Sequence, residues 1–248
     1  MISIFRRIRQ KLLGENRIVK YILYAIGEIL LVVIGILIAF QVNQWNESRK
    51  NRAYEVKMLT EVVHSLESDI EFWNSQMNIM EDKERIINII IGYKNGKIDR
   101  PDSLIDHLIF LERENFFQFN KGPYKALISS GMDRISNDSI RIQMIRLYDF
   151  FMPASEYMAN NFLEPSRYEK ITLITELIKL RSVVNAFGDL EFVYPEITRD
   201  ILQTKKFEKF LFHTNRITLN KTSFLSNVLK ESRELRNRIY AEIAENEQ

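Results

Sequence analysis

The sequence predicts an all-α protein: one N-terminal transmembrane helix that continues into a long helix of an antiparallel α-helical bundle. Three observations carry this. Residues 21–40 (YILYAIGEILLVVIGILIAF) hold one charged side chain, Glu28, among apolar, aromatic and glycine residues. From Val56 to Ile91 apolar residues recur at alternating spacings of three and four, the pattern of a heptad seam. The chain also has only 8 Gly and 5 Pro in 248 residues. Usual shares are about 7% and 5%, so long stretches contain nothing that breaks a helix.

The first segment, residues 1–17, reads as a basic amphipathic cytoplasmic tail. Arg6, Arg7, Arg9 and Lys11 surround a face made by Ile4 or Phe5, Ile8 and Leu12. Such a tail can lie as a short helix on an anionic leaflet and bind lipid, or serve only to set orientation. With Arg17 and Lys20, six basic residues precede the apolar run, against three (Arg49, Lys50 and Arg52) in the fifteen residues after it. By the positive-inside rule the N-terminus is cytoplasmic and the large C-terminal domain faces outward. The expected location is therefore a bacterial inner membrane, crossed once, with a periplasmic domain.

The transmembrane helix is expected over residues 18–42. A helix is the one single-segment structure that satisfies its own backbone in hydrocarbon. Twenty residues at about 1.5 Å rise span about 30 Å, the thickness of the bilayer core. Tyr21 and Tyr24 at one end and Trp45 past the other are the interface anchors. Ala39, Phe40 and Gln41 at the end of the run do not make a small-x-small cleavage site, which points to an uncleaved signal anchor.

Glu28 is the sharpest site candidate, because a charged acid at mid-span costs about 2.5–3.5 kcal/mol even on the lenient insertion scale. Three readings compete. In the first, Glu28 shares a packing face with Leu31 or Val32, Gly35 and Ala39; Gly35 and Ala39 form a small-xxx-small pair that admits a close helix, and the acid bonds across the interface. In the second, Glu28 relays protons or pairs with a cation on a partner subunit. In the third it bonds locally, to Tyr24 one turn before.

Residues 43–55 are polar but contain neither Gly nor Pro, and form a helical connector. Extending the heptad register backwards passes through Trp45, Val42, Ile38, Gly35, Leu31 and Glu28, so one helix is predicted from the membrane to about Ile91. Gly92 and the turn Lys94-Asn95-Gly96 end it; a kink in 43–50 is the alternative.

The extramembrane bundle, residues 56–248, follows with shorter helices. Pro101 and Asp102 open one with Leu104, Leu108 and Leu111; Pro123 starts another that Gly131 closes. Ser136 or Asn137 caps the next, in which Ile140, Met144, Leu147 and Phe151 share a face and Pro153 brings an end or a kink. A helix over about 168–181 and a loop at 185–195 lead to a C-terminal helix from about Glu196. Its stripe of Phe207, Phe210, Thr214, Ile217, Phe224, Val228, Leu235 and Ile239 returns antiparallel to the first long helix.

Residues 24–47 (YAIGEILLVVIGILIAFQVNQWNE), joined to the basic lead RRIRQKLL, and residues 122–151 (GPYKALISSGMDRISNDSIRIQMIRLYDFF) resemble an uncharacterised family of single-pass helical membrane proteins of Bacteroidota, particularly flavobacteria. The likeness covers about a quarter of the chain; the region around Phe116 and Pro153 stands apart from it. It implies an inner-membrane helical protein of unknown function and supplies no chemistry.

Composition narrows the function further. Zero cysteines exclude disulfides, thiolate metal sites and cysteine nucleophiles. The net charge of +2 divides into +5 for residues 1–20, −1 for the span and −2 for the rest. No basic stripe for nucleic acid is present. His64, His107 and His213 each stand alone, without metal-ligand spacing. No phosphate loop, GxSxG elbow or kinase signature occurs. The aromatic cluster of Phe116, Phe117, Phe119, Tyr124, Tyr148, Phe150 and Phe151 fits a core better than a ligand pocket. The expectation is a non-enzymatic scaffold or interaction protein without cofactor or metal. Its partners are membrane lipid and, through the transmembrane helix, another protein or a second copy. The alternatives are a subunit in which Glu28 supports proton- or cation-linked coupling, and a small-ligand sensor domain.

Overall fold

The computed structural model describes residues 18–101 and 104–246. Arg6, Arg7, Arg9, Lys11 and Arg17 lie outside the described residues. The fold is all-α, with one small hairpin. Helix α1 (Ile18–Lys94) is unbroken through 43–50. The chain divides into two compact units, Met1–Glu55 and Val56–Gln248.

In the second unit α1 ends in a Schellman motif: Lys97 N–H donates to Gly92 carbonyl (2.9 Å), Gly96 N–H to Tyr93 carbonyl (3.0 Å), and Gly96 takes φ +69°. Helices α2 (Leu104–Glu112), α3 (Gly122–Ser130) and α4 (Asp138–Ile145) follow. Asn137 caps α4 by accepting from the N–H groups of Ser139 and Ile140.

Pro153 does not end the helical stretch. A π-helical turn, Arg146–Phe151, precedes α5 (Met152–Tyr157), and a second π-turn, Met158–Phe162, follows it. In an α-helix Pro153 would leave the carbonyl of residue 149 without its donor and crowd it; here the chain enters the proline from π geometry, the Met152 N–H donating to the Leu147 carbonyl, and helix continues past it. Leu147 and Tyr148 are buried by this turn, while Phe151 is only half-buried.

Helix α6 is Glu164–Leu177 rather than 168–181, started by Pro165. The expected loop is instead a β-hairpin, β1 (Arg181–Val184) paired antiparallel with β2 (Leu190–Val193). The C-terminal stretch begins with a short α7 (Arg199–Leu202) and continues as α8 (Lys205–Asn246).

Helix α8 runs antiparallel to α1 within this unit: Lys94 pairs with Glu208 (2.9 Å), Asn74 with Arg233 (2.7 Å) and Glu67 with Tyr240 (2.7 Å). Its predicted stripe is buried except at Phe224, where neighbouring Leu225 takes the core position. On α1 the buried face is broader than the predicted seam. Leu59, Val63, Leu66, Ile70, Trp73, Met80 and Ile87 are buried, Ile91 is exposed, and a second row adds Met58, Val62, Ser65, Asp69, Lys83 and Ile90. Two rows are needed because α1 packs beneath more than one neighbour.

Candidate functional site

In the first unit, α1 is long and apolar enough to cross a membrane by length and composition, and none of its most apolar window is buried. Glu28 is half-exposed on this surface; Leu31, Val32, Gly35 and Ala39 are exposed. A Cβ built at Gly35 meets nothing within 4 Å, so the small-residue face is open. Tyr24 is half-buried, and Trp45 is exposed with the Arg49 guanidinium 5.7 Å over its ring. Tyr21 and Lys20 belong to the helix, with side chains outside the described residues.

The second unit holds a polar arrangement that sequence reasoning missed. Residues 113–120 form an irregular strap between α2 and α3, and it runs antiparallel along α1. Side chains of α1 tie down its backbone in order. Lys83 Nζ donates to the Arg113 carbonyl, Trp73 Nε1 to Gln118 carbonyl (3.0 Å) and Ser65 Oγ to Asn120 carbonyl (3.3 Å), while Asp69 accepts Asn120 N–H (3.0 Å). From the second π-turn, Asn160 grips Phe117 on both sides. Its Oδ1 accepts the Phe117 N–H (2.9 Å) and its Nδ2 donates to the Phe117 carbonyl (2.8 Å), as a neighbouring strand would. Buried backbone groups need partners, and here side chains supply them.

At the α2 end of the strap three buried lysines converge from three helices. Lys170 of α6, 1% exposed, donates to the carbonyls of Leu111 (3.2 Å) and Glu112 (2.9 Å) and to the Glu114 carboxylate. Lys221 of α8 reaches the other Glu114 oxygen (3.4 Å) and Asn115 carbonyl. Lys170 thus caps the last carbonyls of α2, where positive charge is favoured, while Lys83 and Lys221 hold the Arg113 and Asn115 carbonyls at the start of the strap. One carboxylate faces three ammonium groups. Burial, then repulsion from Lys170, brings Lys83 down to about 7, with Glu114 opposing; burial also lowers Lys221.

At the other end, burial raises Asp69 to about 6 although the Asn120 N–H works against it. Tyr148 stacks on Tyr124 (4.6 Å between centroids), and Tyr124 Oη donates to Asp149 (2.6 Å). Burial pushes both phenols upward, followed by Asp149 for Tyr124 and Asp69 for Tyr148.

The aromatic region fills space rather than enclosing it. Phe117 stacks on Trp73 at 5.4 Å. The cavity beside them, lined by Gln76, Met80, Asn115, Phe117, Lys221 and Leu225, measures about 10 Å³, the room of about one water. Phe116 and Phe150 are exposed. Among the described residues no group of three His, Asp or Glu side chains could hold a metal ion.

A sequence signal for the lysines existed. Lys83 stands three residues from both Met80 and Ile86, in the apolar row, and Lys170 stands three before Leu173; a lysine in a core register asks for a buried partner.

Comparison with curated proteins and with solved structures finds no match. Residues 28–164, more than half of the chain, match a family of unknown function, DUF6090. The match takes in the region around Phe116 and Pro153 that the initial resemblance left aside, together with Asp69, Lys83, Glu114 and Asn160, but not Lys170 or Lys221. The chain belongs to the family of unknown function DUF6090.

Proposed function

We propose that this protein is a non-enzymatic, single-pass membrane scaffold or interaction protein whose helical domain lies in the periplasm of a bacterium of the Bacteroidota type. The observation that carries the reading is the open face of the span: Gly35 and Ala39 admit a close neighbour, and Glu28 stands on the same apolar surface. The charge asymmetry of residues 1–20 supports a cytoplasmic N-terminus. In the helical domain, Asn160, Lys83 and Lys170 are engaged in holding backbone at or beside the strap, and the cavity beside it is one water in size, which favours a structural role over turnover.

The test is mild solubilisation from the native membrane followed by identification of what co-purifies, with Gly35→Ile beside the wild type. Loss of the co-purifying component in Gly35→Ile supports the reading; a lone monomer from both chains overturns it. A second reading, proton- or cation-linked coupling through Glu28, rests on that carboxylate's place in the span. Glu28→Gln separates the two: retained assembly with lost function favours coupling, whereas lost assembly favours packing.

A further inference from the structure

The hairpin of residues 181–193 is the least explained part of the molecule. Two strands alone are marginal in water, and three or more are ordinarily needed for a stable sheet; here, among the described residues, no third strand pairs with either edge. One face presents Ser182, Val184, Leu190 and Phe192, and the other Arg181, Val183, Glu191 and Val193. The first face is apolar and bare: Val184 is 67%, Leu190 63% and Phe192 68% exposed, with Phe187 at the tip 91% exposed. Taking about 150–250 Å² for each aromatic ring, the patch is on the order of 500 Å². The largest patch on an ordinary monomer is about 300–600 Å² and commonly functional.

The backbone says which edge is available. Asn185 N–H donates to the Asp189 carbonyl (2.8 Å), so bonded and non-bonded pairs alternate from there: 183/191 and 181/193 exchange hydrogen bonds, while Leu190 and Phe192 turn their N–H and C=O groups to the open side of β2.

We propose that β2 pairs with β2 of a second copy of this chain about a two-fold axis at Phe192, making a four-stranded antiparallel sheet. In that register Phe192 meets Phe192 of the second copy, Leu190 meets Tyr194, and Glu191 meets Val193. All outward backbone groups find partners, and the apolar faces of the two hairpins become continuous. Centring the axis at Glu191 instead would oppose two carboxylates. A strand edge that is complementary to itself suits an isologous contact. Insertion of the tip into lipid is disfavoured by Asp189 and Glu191, which flank the apolar residues, and by the unpaired strand edge. Two patches together cover on the order of 1,000 Å², the lower limit for a specific contact. The contact is independent of packing by the span.

The chain has no cysteine, so single substitutions report proximity directly. Bonded antiparallel partners sit about 5.5 Å apart at Cα, inside the range for a disulfide, whereas the two β1 strands of a four-stranded sheet are about 14 Å apart, outside it. In the full chain in detergent, mild oxidation is expected to give a covalent dimer for F192C several-fold more abundant than for V184C, and to do so equally with Gly35→Ile present. L190K/F192K should leave the melting curve unchanged and abolish chemical cross-linking between hairpins. No dimer at F192C in the full chain, whether in detergent or in phosphatidylglycerol vesicles, equal dimer at F192C and V184C, or dimer at V184C alone overturns the proposal.

Discussion

Replacing Asp69 by Asn should make the protein more stable at neutral pH, against the usual cost of deleting a buried, hydrogen-bonded carboxylate. Asp69 lies under the strap, accepts the Asn120 N–H, and is raised by burial from 3.8 to about 6. The folded state therefore holds this proton more tightly than the unfolded chain. Stability from Asp69 is complete below about pH 3.8 and is lost as pH rises through about 6. At about 1.4 kcal/mol per pH unit the loss amounts to ~3 kcal/mol, and to about half of that once water near the strap relaxes around the charge. Asparagine keeps an oxygen for the Asn120 N–H and removes the charge. Trp73, buried against Phe117, reports the region. In a Trp45→Phe background it is the only tryptophan left, so its fluorescence in urea follows this unit between pH 4 and 8. The expected result is equal stability near pH 4 and a gain of about 1–3 kcal/mol for Asp69→Asn at pH 7–8. A variant that is less stable at pH 7 by the same margin, with a wild type that does not weaken between pH 4 and 7, would refute the reasoning and show the carboxylate to be held by its bond rather than penalised by burial.

Lys83 has the opposite linkage: its folded value of about 7 lies below 10.5, so its contribution is complete above pH 10.5 and falls away as pH drops toward 7. Urea midpoints of the wild type should rise from pH 7 to 9, and Lys83→Met should flatten that rise. Glu114→Gln removes the one carboxylate shared by Lys170 and Lys221; breaking a buried pair in this way costs about 3–5 kcal/mol, measurable by the same titration at pH 7. Asn160→Ala deletes both bonds to Phe117 and should cost about 2–4 kcal/mol by leaving a buried N–H and C=O unpaired, with faster amide exchange at Phe117.

Local rules in the sequence account for much of the fold. Gly96 at the end of α1, Asn137 before α4 and Pro123 and Pro165 at helix starts each act where their chemistry places them, because caps depend on residues within a turn or two. The hairpin was readable in principle: Val183 and Val184, then Asn185 and Gly188, then Leu190, Phe192 and Val193 are strand, turn, strand. Glycine and proline nearby suggested a loop instead. Pro153 misled because its usual effect on a helix assumes α geometry, whereas here it follows a π-turn. The buried lysines were hidden for a different reason. Lys83, Lys170 and Lys221 acquire their meaning from carbonyls of residues 111–115, which lie between 30 and 106 positions away in the chain, and no short-range pattern encodes that meeting.

The strap also bears on how the chain assembles during synthesis. Glu114 emerges long before Lys170, and Lys221 comes later still, so the carboxylate has no ammonium partner from the C-terminal half until most of the domain has been made. The 28–164 segment that defines the family thus contains the strap and half of its clasp but not the helices that close it. Folding of this unit is expected to wait for α8, and a ribosome-bound chain stopped before residue 221 should remain open to protease at the strap.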